Sequence, residues 1–330
     1  MEASTPASLL RALDLLTLAP QPEIELLGAA RSSHFSRVRS ITDSENVVAV
    51  GISEKESDGE RTGELSICFY VRKKLPPNKV KPGDALPPVL NAPGDKAVFT
   101  DVKEIGKLAP EVAIKGKPLQ SGFSVGHVRS TAGTLGAIVK RGNKLYLLSN
   151  SHVLARSGNA MAGDPIVYPG PADGGKLPAN RVAALSDFIP FDSTGTLVNQ
   201  VDAALAEVDP SRLDEIAFEI DKATAPFGTI RPRRGMGVAK AGRTTGKTRG
   251  EIIDVNFRFV MQYSGVAGKV GFIDQVLCTR YTDAGDSGSI VVDTESGKIV
   301  GLHFAGAEGG SVFNPIQPVM SALKFKFVTP

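Results

Sequence analysis

From Gly133 onward the sequence is a succession of short apolar segments, and this pattern constrains the fold more than any other feature. Gly, Pro, Asp and Asn separate the segments, and few stretches have helical periodicity. The segments include GTLGAIVK, KLYLLSNSHVLA, DPIVYPG, VDAALAEV, FIDQVLCT, SGSIVVD and KIVGLHFAG. Many short strands joined by turns are typical of a β-sandwich or β-barrel, so the sequence predicts a mainly β fold.

The part of the chain before this region combines helical and strand patterns. Residues 5–18 are predicted to form a helix, with Thr5 as the N-cap, Pro6 at the first helical position and leucines along one face. Three strands are predicted where β-branched and aromatic residues are enriched, in NVVAVGIS, GELSICFYVRKKL and KAVFTDVKEIGKL. We therefore divide the chain into a small α+β N-terminal domain, residues 1–118, and a β domain, residues 119–330.

Charge and cysteine content argue against several classes of function. The chain has 38 Lys and Arg against 35 Asp and Glu, too even a balance for a nucleic-acid-binding protein. No segment approaches the roughly 20 apolar residues of a membrane span, so we expect no membrane partner. Cys68 and Cys278 are too few for a disulfide framework, and the N-terminus lacks the features of a secretory signal. We expect buried thiols and a bacterial cytoplasmic location.

Three residues of the β region have the chemistry of a hydrolase. His152 lies in YLLSNSHVLA, Asp202 in VDAALA and Ser287 in GDSGS. A serine hydroxyl is a weak nucleophile until a base takes its proton, and a neutral imidazole does so near pH 7. A carboxylate can then hold the imidazole in the required tautomer. The chain order His, Asp, Ser within a β region is that of one type of catalytic triad.

Each of these residues also has an ordinary structural interpretation. Gly-Asp-Ser-Gly is a common turn, a histidine at a strand end is often structural, and Asp202 could cap a helix.

AGRTTGKT, residues 241–248, superficially matches a phosphate-binding loop. However, Ala241 stands where the first glycine is required, and a strand rather than a helix is predicted to follow. We therefore exclude a nucleoside triphosphatase. The histidines are scattered along the sequence and do not indicate a metal site.

Residues from about 122 to 330 resemble bacterial trypsin-like serine peptidases of the chymotrypsin fold. LLSNSHVLA, VDAALA and GDSGS resemble the three triad motifs, and VGLHFAG resembles the strand that lines the substrate cleft. AGRTTGKTRGEI is similar to a segment of α-lytic protease and the streptogrisins, without their cysteines. The resemblance implies a chymotrypsin-like double β-barrel, preceded here by the α+β domain. It also implies a serine endopeptidase that acts on a protein or peptide substrate without a cofactor or metal.

The same resemblance assigns roles to individual residues. Ser287 is the expected nucleophile, His152 the base and Asp202 the residue that orients it. The N–H groups of Gly285 and Ser287 are expected to form the oxyanion hole. Asp286 then needs a buried cation, and in the α-lytic group this is a basic side chain at the position of Lys240. We expect an Asp286–Lys240 ion pair that forms without proteolytic activation.

The expected specificity pocket allows two interpretations. His303 and Thr282 match residues of glutamyl endopeptidases, and the pair could hold a substrate carboxylate. Tyr281, at the expected pocket base, argues against Lys or Arg substrates. Phe304, Ala305 and Gly306 would equally suit a small or apolar side chain. Acidic and small or apolar preferences therefore both remain open.

The role of residues 1–118 and the presence of activity are also open. The N-terminal domain could be a regulatory or pro-region, or could bind a regulatory partner. A pro-region would predict cleavage in LAPEVAIKGKPLQSG, where Glu111 is a candidate site for self-cleavage. The alternative to an enzyme is a binding or scaffold module that keeps the protease fold without its activity.

Overall fold

The computed structural model describes residues 5–18, 29–57, 59–91, 96–106, 118–221, 223 and 227–329. Helices α1 to α4 span Ala7–Thr17, Ala29–Thr42, Ser151–Leu154 and Ile316–Leu323. Strands β1 to β10 span Val47–Ser57, Glu60–Val71, Val89–Leu90, Val98–Glu104, Ser124–His127, Gly133–Thr134, Ala137–Arg141, Lys144–Ser149, Pro165–Val167 and Arg181–Phe188. Strands β11 to β19 span Thr194–Asn199, Ala204–Val208, Gly237–Gly242, Gly246–Met261, Lys269–Cys278, Ile290–Asp293, Ile299–Ala307, Gly310–Pro315 and Lys326–Phe327.

These strands form two sheets, and the predicted mainly β fold class is confirmed. The first sheet has eight strands in the order β19-β7-β8-β12-β10-β9-β5-β6. The second has eleven in the order β11-β15-β18-β17-β16-β13-β14-β1-β2-β4-β3, and β14 also pairs with β15. One apolar core lies within the first sheet, and another joins residues of both sheets, such as Leu148 and Leu302. The candidate site residues are thus divided between two sheets that share a core.

The N-terminal strands belong to the second sheet. Strand β1 pairs antiparallel with β14, with Ala49 opposite Phe259, and β2 and β4 continue the sheet outward. Helices α1 and α2 pack on this extension through a core that includes Leu13, Phe35 and Ile67. The division of the chain at residues 118/119 stays a prediction, because this sheet contains strands from both sides of it.

The first helix begins one residue later than the sequence predicts. Pro6, and not Thr5, occupies the N-cap, with an extended backbone at φ −57° and ψ 135°. The Pro6 carbonyl accepts hydrogen bonds from the N–H groups of Leu9 and Leu10. The Thr5 hydroxyl instead accepts a hydrogen bond from Arg234 at 3.0 Å. The predicted N-cap is therefore wrong because the side chain is used in a contact with a distant residue.

Several other predictions concern particular segments. The three predicted N-terminal strands are present as β1, β2 and β4, and the short helix α4 lies near the C-terminus. Cys68 and Cys278 are buried free thiols. The segment containing Glu111 lies outside the described residues. Within the described ranges, none of the helices is both long and apolar enough to cross a bilayer.

Candidate active site

The pairing of β8 with β12 brings His152 and Asp202 together. Ser149, the last residue of β8, lies opposite Ala204, the first residue of β12. His152 follows β8 in the short helix α3, and Asp202 precedes β12. Their side chains consequently meet, with 2.6 Å between His152 Nδ1 and Asp202 Oδ2.

The Asp202 carboxylate is fully buried and accepts several hydrogen bonds. Its Oδ1 accepts from the N–H groups of Ser151 at 2.7 Å and His152 at 3.2 Å. Its Oδ2 accepts from the Tyr263 hydroxyl at 2.8 Å in addition to His152. A buried carboxylate is stable only when such donors replace water, and these contacts fix the orientation of the Asp202 side chain.

The backbone of Asp202 is held from both sheets. Asn150 donates to the Asp202 carbonyl at 2.7 Å, and the Asp202 N–H donates to Asn314 Oδ1, on β18, at 3.0 Å. Asn314 in turn donates to Gln275 Oε1 at 2.6 Å. This buried amide network links the His–Asp pair in the first sheet to the framework of the second sheet.

Ser287 lies in a turn before β16 that needs a glycine at two of its positions. Gly285 and Gly288 have φ values of +106° and +98°, which other residues rarely adopt. A Cβ on Gly288 would also lie 2.1 Å from the Thr134 carbonyl oxygen. Thr134, on β6, donates to the Ser287 carbonyl at 2.7 Å and, through its hydroxyl, to the Gly285 carbonyl at 2.8 Å. The serine turn of the second sheet is therefore docked on the first sheet.

Gly133 shows how near this turn is to the helix that carries His152. A Cβ on Gly133 would lie 2.4 Å from Val153 Cγ2 and 3.1 Å from the Ser287 carbonyl oxygen. The serine turn and helix α3 are thus separated by little more than one glycine. The structure brings all three predicted triad residues to this junction of the two sheets.

Ser287 and His152 are not hydrogen-bonded to each other in this state. The Ser287 hydroxyl donates to the Phe304 carbonyl at 3.3 Å. His152 Nε2 is buried and has no hydrogen-bond partner in the described part of the chain. Bonds of this kind are often long or absent until substrate is bound.

Lys240 and Asp286 form the buried contact that the sequence predicts. Lys240 Nζ lies 3.0 Å from Asp286 Oδ2, and neither side chain is exposed. Asp286 also accepts hydrogen bonds from Thr245, through both its N–H and its hydroxyl. Burial raises the pKa of Asp286, but Lys240 and these hydrogen bonds outweigh it, and the pKa ends below its ordinary value. The Lys240–Thr245–Asp286 cluster fixes the residue between Gly285 and Ser287.

The residues of the expected specificity pocket are partly brought together. Thr282 and Ser311 share a hydrogen bond between their hydroxyls at 2.6 Å, and the Tyr281 N–H donates to Ser311 Oγ at 3.1 Å. The Tyr281 and His303 rings lie 6.2 Å apart, centroid to centroid. Neither ring nitrogen of His303 makes a hydrogen bond of normal geometry with a described residue. Burial lowers the pKa of His303 to about 3, so this ring is neutral at neutral pH.

The remaining pocket candidates occupy strand β17. Phe304 packs in an aromatic cluster, 5.0 Å from the Phe272 ring and 5.9 Å from the Phe259 ring. Its carbonyl, not its ring, contacts Ser287. Ala305 and Gly306 are buried, and Ala305 belongs to the same apolar cluster. The structure therefore separates the side chain of Phe304 from those of His303 and Thr282.

Four residues of this site carry no signal in the sequence. These are Tyr263 in the β14–β15 loop, Ser311 and Asn314 on β18, and Thr134 on β6. AGRTTGKT, which superficially matches a phosphate-binding loop, forms the turn between β13 and β14 and supplies Thr245 to Asp286. A hydroxyl or amide that pairs with a distant residue leaves no local periodicity or spacing.

Comparison with known proteins finds similarity in structure only. No protein-family model and no curated protein matches the chain. Thermobifida fusca protease A is 15% identical with a TM-score of 0.45 and covers 64% of this chain and 99% of its own. A glutamic-acid-specific serine protease, described as using a histidine triad in substrate binding, is 18% identical with a TM-score of 0.45. The match covers 63% of this chain and 100% of that protease. Cellulomonas bogoriensis chymotrypsin is 15% identical with a TM-score of 0.43, and the match covers 64% of this chain and 99% of that enzyme.

These neighbours are bacterial serine proteases of the chymotrypsin fold. They match the family that the sequence resembles at the level of the fold. At such identities the likeness concerns the fold alone, so a function has to be argued from the residues of this chain.

Proposed function

We propose that the protein is a serine endopeptidase in which Ser287 is the nucleophile, His152 the general base and Asp202 the residue that orients it. The observation that carries this proposal is the 2.6 Å contact between His152 Nδ1 and the buried Asp202 carboxylate. It assigns the Nδ1 proton to the aspartate side, so that Nε2 is left as the basic atom. Nε2 has no protein partner among the described residues, and the serine turn lies close to helix α3, which carries His152.

The proposed reaction begins when Ser287 Oγ leaves the Phe304 carbonyl and attacks the carbonyl carbon of a peptide bond. His152 Nε2 takes the hydroxyl proton as the new C–O bond forms, and Asp202 stabilises the resulting imidazolium. The tetrahedral intermediate collapses to the Ser287 ester, and His152 gives its proton to the departing amine. A water molecule, deprotonated by His152, then attacks the ester, and His152 returns this proton to Ser287 Oγ as the ester bond breaks and the acid is released.

The oxyanion of the intermediate would be held by the N–H groups of Gly285 and Ser287. The φ value of +106° at Gly285 and the anchoring of Asp286 by Lys240 support this role, because both fix the backbone between the two donors. Fixed donors need no reorganisation as charge develops, and removal of one typically costs a factor of about 100 to 1,000 in rate.

The preferred substrate is proposed to have an acidic residue immediately before the cleaved peptide bond. His303 supports this preference because its two nitrogens have no hydrogen bonds of normal geometry, and Thr282 and Ser311 are further hydroxyl donors in the same region. A glutamate carboxylate would be a charged acceptor for a His303 N–H, and hydrogen bonds to charged groups are about twice as strong as neutral ones. A small or apolar preference is the competing expectation, supported by Ala305 and Gly306.

A binding module without activity is the second candidate. Two observations favour it: the Ser287 hydroxyl is engaged with the Phe304 carbonyl, and His152 Nε2 is buried. In that case the His–Asp pair would be a structural contact. The cytoplasmic location, the absence of nucleic-acid and membrane partners and the peptide substrate remain predictions from the sequence.

A fluorophosphonate probe, which reacts with activated serines, distinguishes the two candidates. We expect the wild-type protein to be labelled and Ser287→Ala to remain unlabelled. Ser289→Ala is the matched control, since Ser289 lies in the same turn with its hydroxyl bonded to the Asp286 carbonyl. Absence of labelling in folded wild-type protein would favour the binding module.

A further inference from the structure

The loop between β14 and β15, residues 262–268, is anchored beside the His–Asp pair. Its two ends are joined by the pairing of Met261 with Val270. Within the loop, the Val266 N–H donates to the Tyr263 carbonyl at 3.2 Å. Asn159, which follows helix α3, donates to the Gly265 carbonyl at 3.0 Å. The loop is thus held by its own sheet and by the segment that carries His152.

Tyr263 is the side chain of this loop that reaches the candidate site. It is 2% exposed, and its ring stacks on Phe191 with 4.8 Å between centroids. The same ring lies 5.6 Å from the His152 ring. Burial, with the nearby Asp202 charge, raises the pKa of Tyr263 well above its usual value, so its hydroxyl stays protonated and donates to Asp202.

The hydrogen bonds of Asp202 divide between its two oxygens. Oδ1 is held by the backbone of the helix that carries His152. Oδ2, the oxygen that contacts His152 Nδ1, has one other donor among the described residues, and this is Tyr263. The tyrosine is therefore placed to control the one carboxylate oxygen that acts on the base.

We propose that Tyr263 is a positioning residue of the triad, whose hydroxyl holds Asp202 Oδ2 toward His152 Nδ1 and shares its negative charge. The inference rests on the proposed function and adds to it a residue from the second sheet. Without the hydroxyl, Oδ2 would have His152 as its single donor. Its charge would then favour the imidazolium more strongly, and the carboxylate would be freer to turn.

The predicted effect depends on the titratable groups that surround His152. Asp202 faces it from the turn before β12, Tyr263 from the β14–β15 loop, and His303 from β17. The Lys240–Asp286 pair contacts the serine turn, and its two charges also influence the pKa of His303. A Tyr263→Phe substitution changes one of these contacts and keeps the ring that stacks on Phe191.

The test compares wild type and Tyr263→Phe by two measurements. Histidine-selective isotope labelling and NMR titration follow the four imidazoles, and His152→Gln assigns the signal of His152. We expect the midpoint of that signal to rise by about 0.5 to 1 pH unit in the variant. The rate of fluorophosphonate labelling should fall roughly three- to tenfold at its plateau, and its acid limb should move upward by the same pH interval.

Tyr70→Phe is the matched control. Tyr70 is also buried in an aromatic contact and donates to a buried carboxylate, Asp254 Oδ2, at 3.2 Å. It should leave the His152 midpoint and the labelling profile unchanged. An equal effect of both substitutions, or no effect of Tyr263→Phe on either measurement, would overturn the assignment of Tyr263.

The two measurements also separate this inference from the proposed function. If the wild-type protein is not labelled, the peptidase proposal fails, while the His152 midpoint still decides whether Tyr263 acts on the pair. If wild type is labelled and the midpoint does not move, the peptidase proposal stands and the role of Tyr263 is wrong.

Discussion

The ammonium group of Lys240 lies 3.0 Å from the carboxylate of Asp286, and both side chains are enclosed by protein. The cation is supplied by strand β13 of the same chain, so its contact with the serine turn does not depend on a cleaved N-terminus. Since Asp286 stands between Gly285 and Ser287, the pair connects the stability of the fold to the geometry of the proposed oxyanion hole.

Replacement of Lys240 by Met should leave the Asp286 charge buried without its cation. Removal of one partner of a buried pair costs about 3 to 5 kcal/mol of unfolding free energy. We also expect fluorophosphonate labelling to fall by roughly 100-fold, because the donors of the oxyanion hole would lose their support. Chemical denaturation and labelling rates measure the two effects.

Two further variants make this prediction specific. Lys247→Met removes an exposed lysine that pairs with Asp221, and it should change stability by less than about 1 kcal/mol. The double variant Lys240→Met/Asp286→Asn removes both buried charges and should recover part of the lost stability. Full labelling of Lys240→Met would show that the pair does not support the site.

The serine turn should be intolerant of a methyl group at Gly288. Alanine there would combine the unfavourable φ of +98° with a Cβ 2.1 Å from the Thr134 carbonyl oxygen. We expect a loss on the order of 3 kcal/mol or more, together with loss of labelling. Gly142→Ala is the control, since Gly142 has φ +60° but open space around it, and should cost only about 1 to 2 kcal/mol.

A buried carboxyl outside the site should give the fold a measurable pH dependence. Burial raises the pKa of Asp254 to about 7, although the N–H of Asn256, the charge of Arg234 and the hydroxyl of Tyr70 oppose the shift. Between about pH 4 and pH 7 the unfolded chain has lost this proton and the folded chain keeps it, so stability falls as the pH rises. The loss is on the order of 4 kcal/mol and should be absent from Asp254→Asn.

The exposed carboxyl of Asp192 should make the stability of the fold change with pH in the opposite direction. Hydrogen bonds from Thr194 lower the pKa of Asp192, so its contribution is present above the unfolded pKa and is lost as the pH falls. Asp192→Asn should therefore remove a small loss of stability that wild type shows as the pH falls. Urea unfolding of the three proteins at several pH values tests both signs, and identical profiles for wild type and Asp254→Asn would contradict the prediction.

Substrate preference should depend on His303. With a panel of peptides that differ only in the residue before the cleaved bond, we expect Glu to be preferred over Ala and Phe. His303→Ala should lower kcat/KM for the Glu peptide by at least about tenfold and that for the Ala peptide much less. His127→Gln is a suitable control, because His127 is also buried but contacts Asp164 at 3.0 Å. A uniform loss across the panel would favour a structural role for His303.

The sequence predicts elements whose cause is local. The leucines of α1, the β-branched and aromatic residues of β1 and β2 and the glycines around Ser287 act through neighbouring backbone, so their pattern can be read directly. The chemistry of His152, Asp202 and Ser287 is also visible, because few residue types can perform it. Thr5 shows the limit of such reasoning, since its hydroxyl contacts Arg234 instead of capping the helix.

The rest of the site depends on contacts between distant residues. Tyr263 and Asn314 reach Asp202 from the second sheet, and a single polar residue in a loop or strand does not reveal its partner. The pairing of β1 with β14 is hidden for a similar reason. An apolar strand is compatible with many neighbours, and its register is decided only when the whole sheet assembles.

This last pairing has a consequence for the synthesis of the protein. Ala49 and Phe259 lie opposite each other in the sheet, but the ribosome adds about 200 residues between them. At typical rates of translation, this takes about 10 to 40 s. During that time β1 can pair with β2, while its other edge exposes unsatisfied backbone groups beside apolar side chains. The nascent chain therefore carries an aggregation-prone edge until β14 emerges, and its yield in a cell should depend on chaperones that bind early in translation.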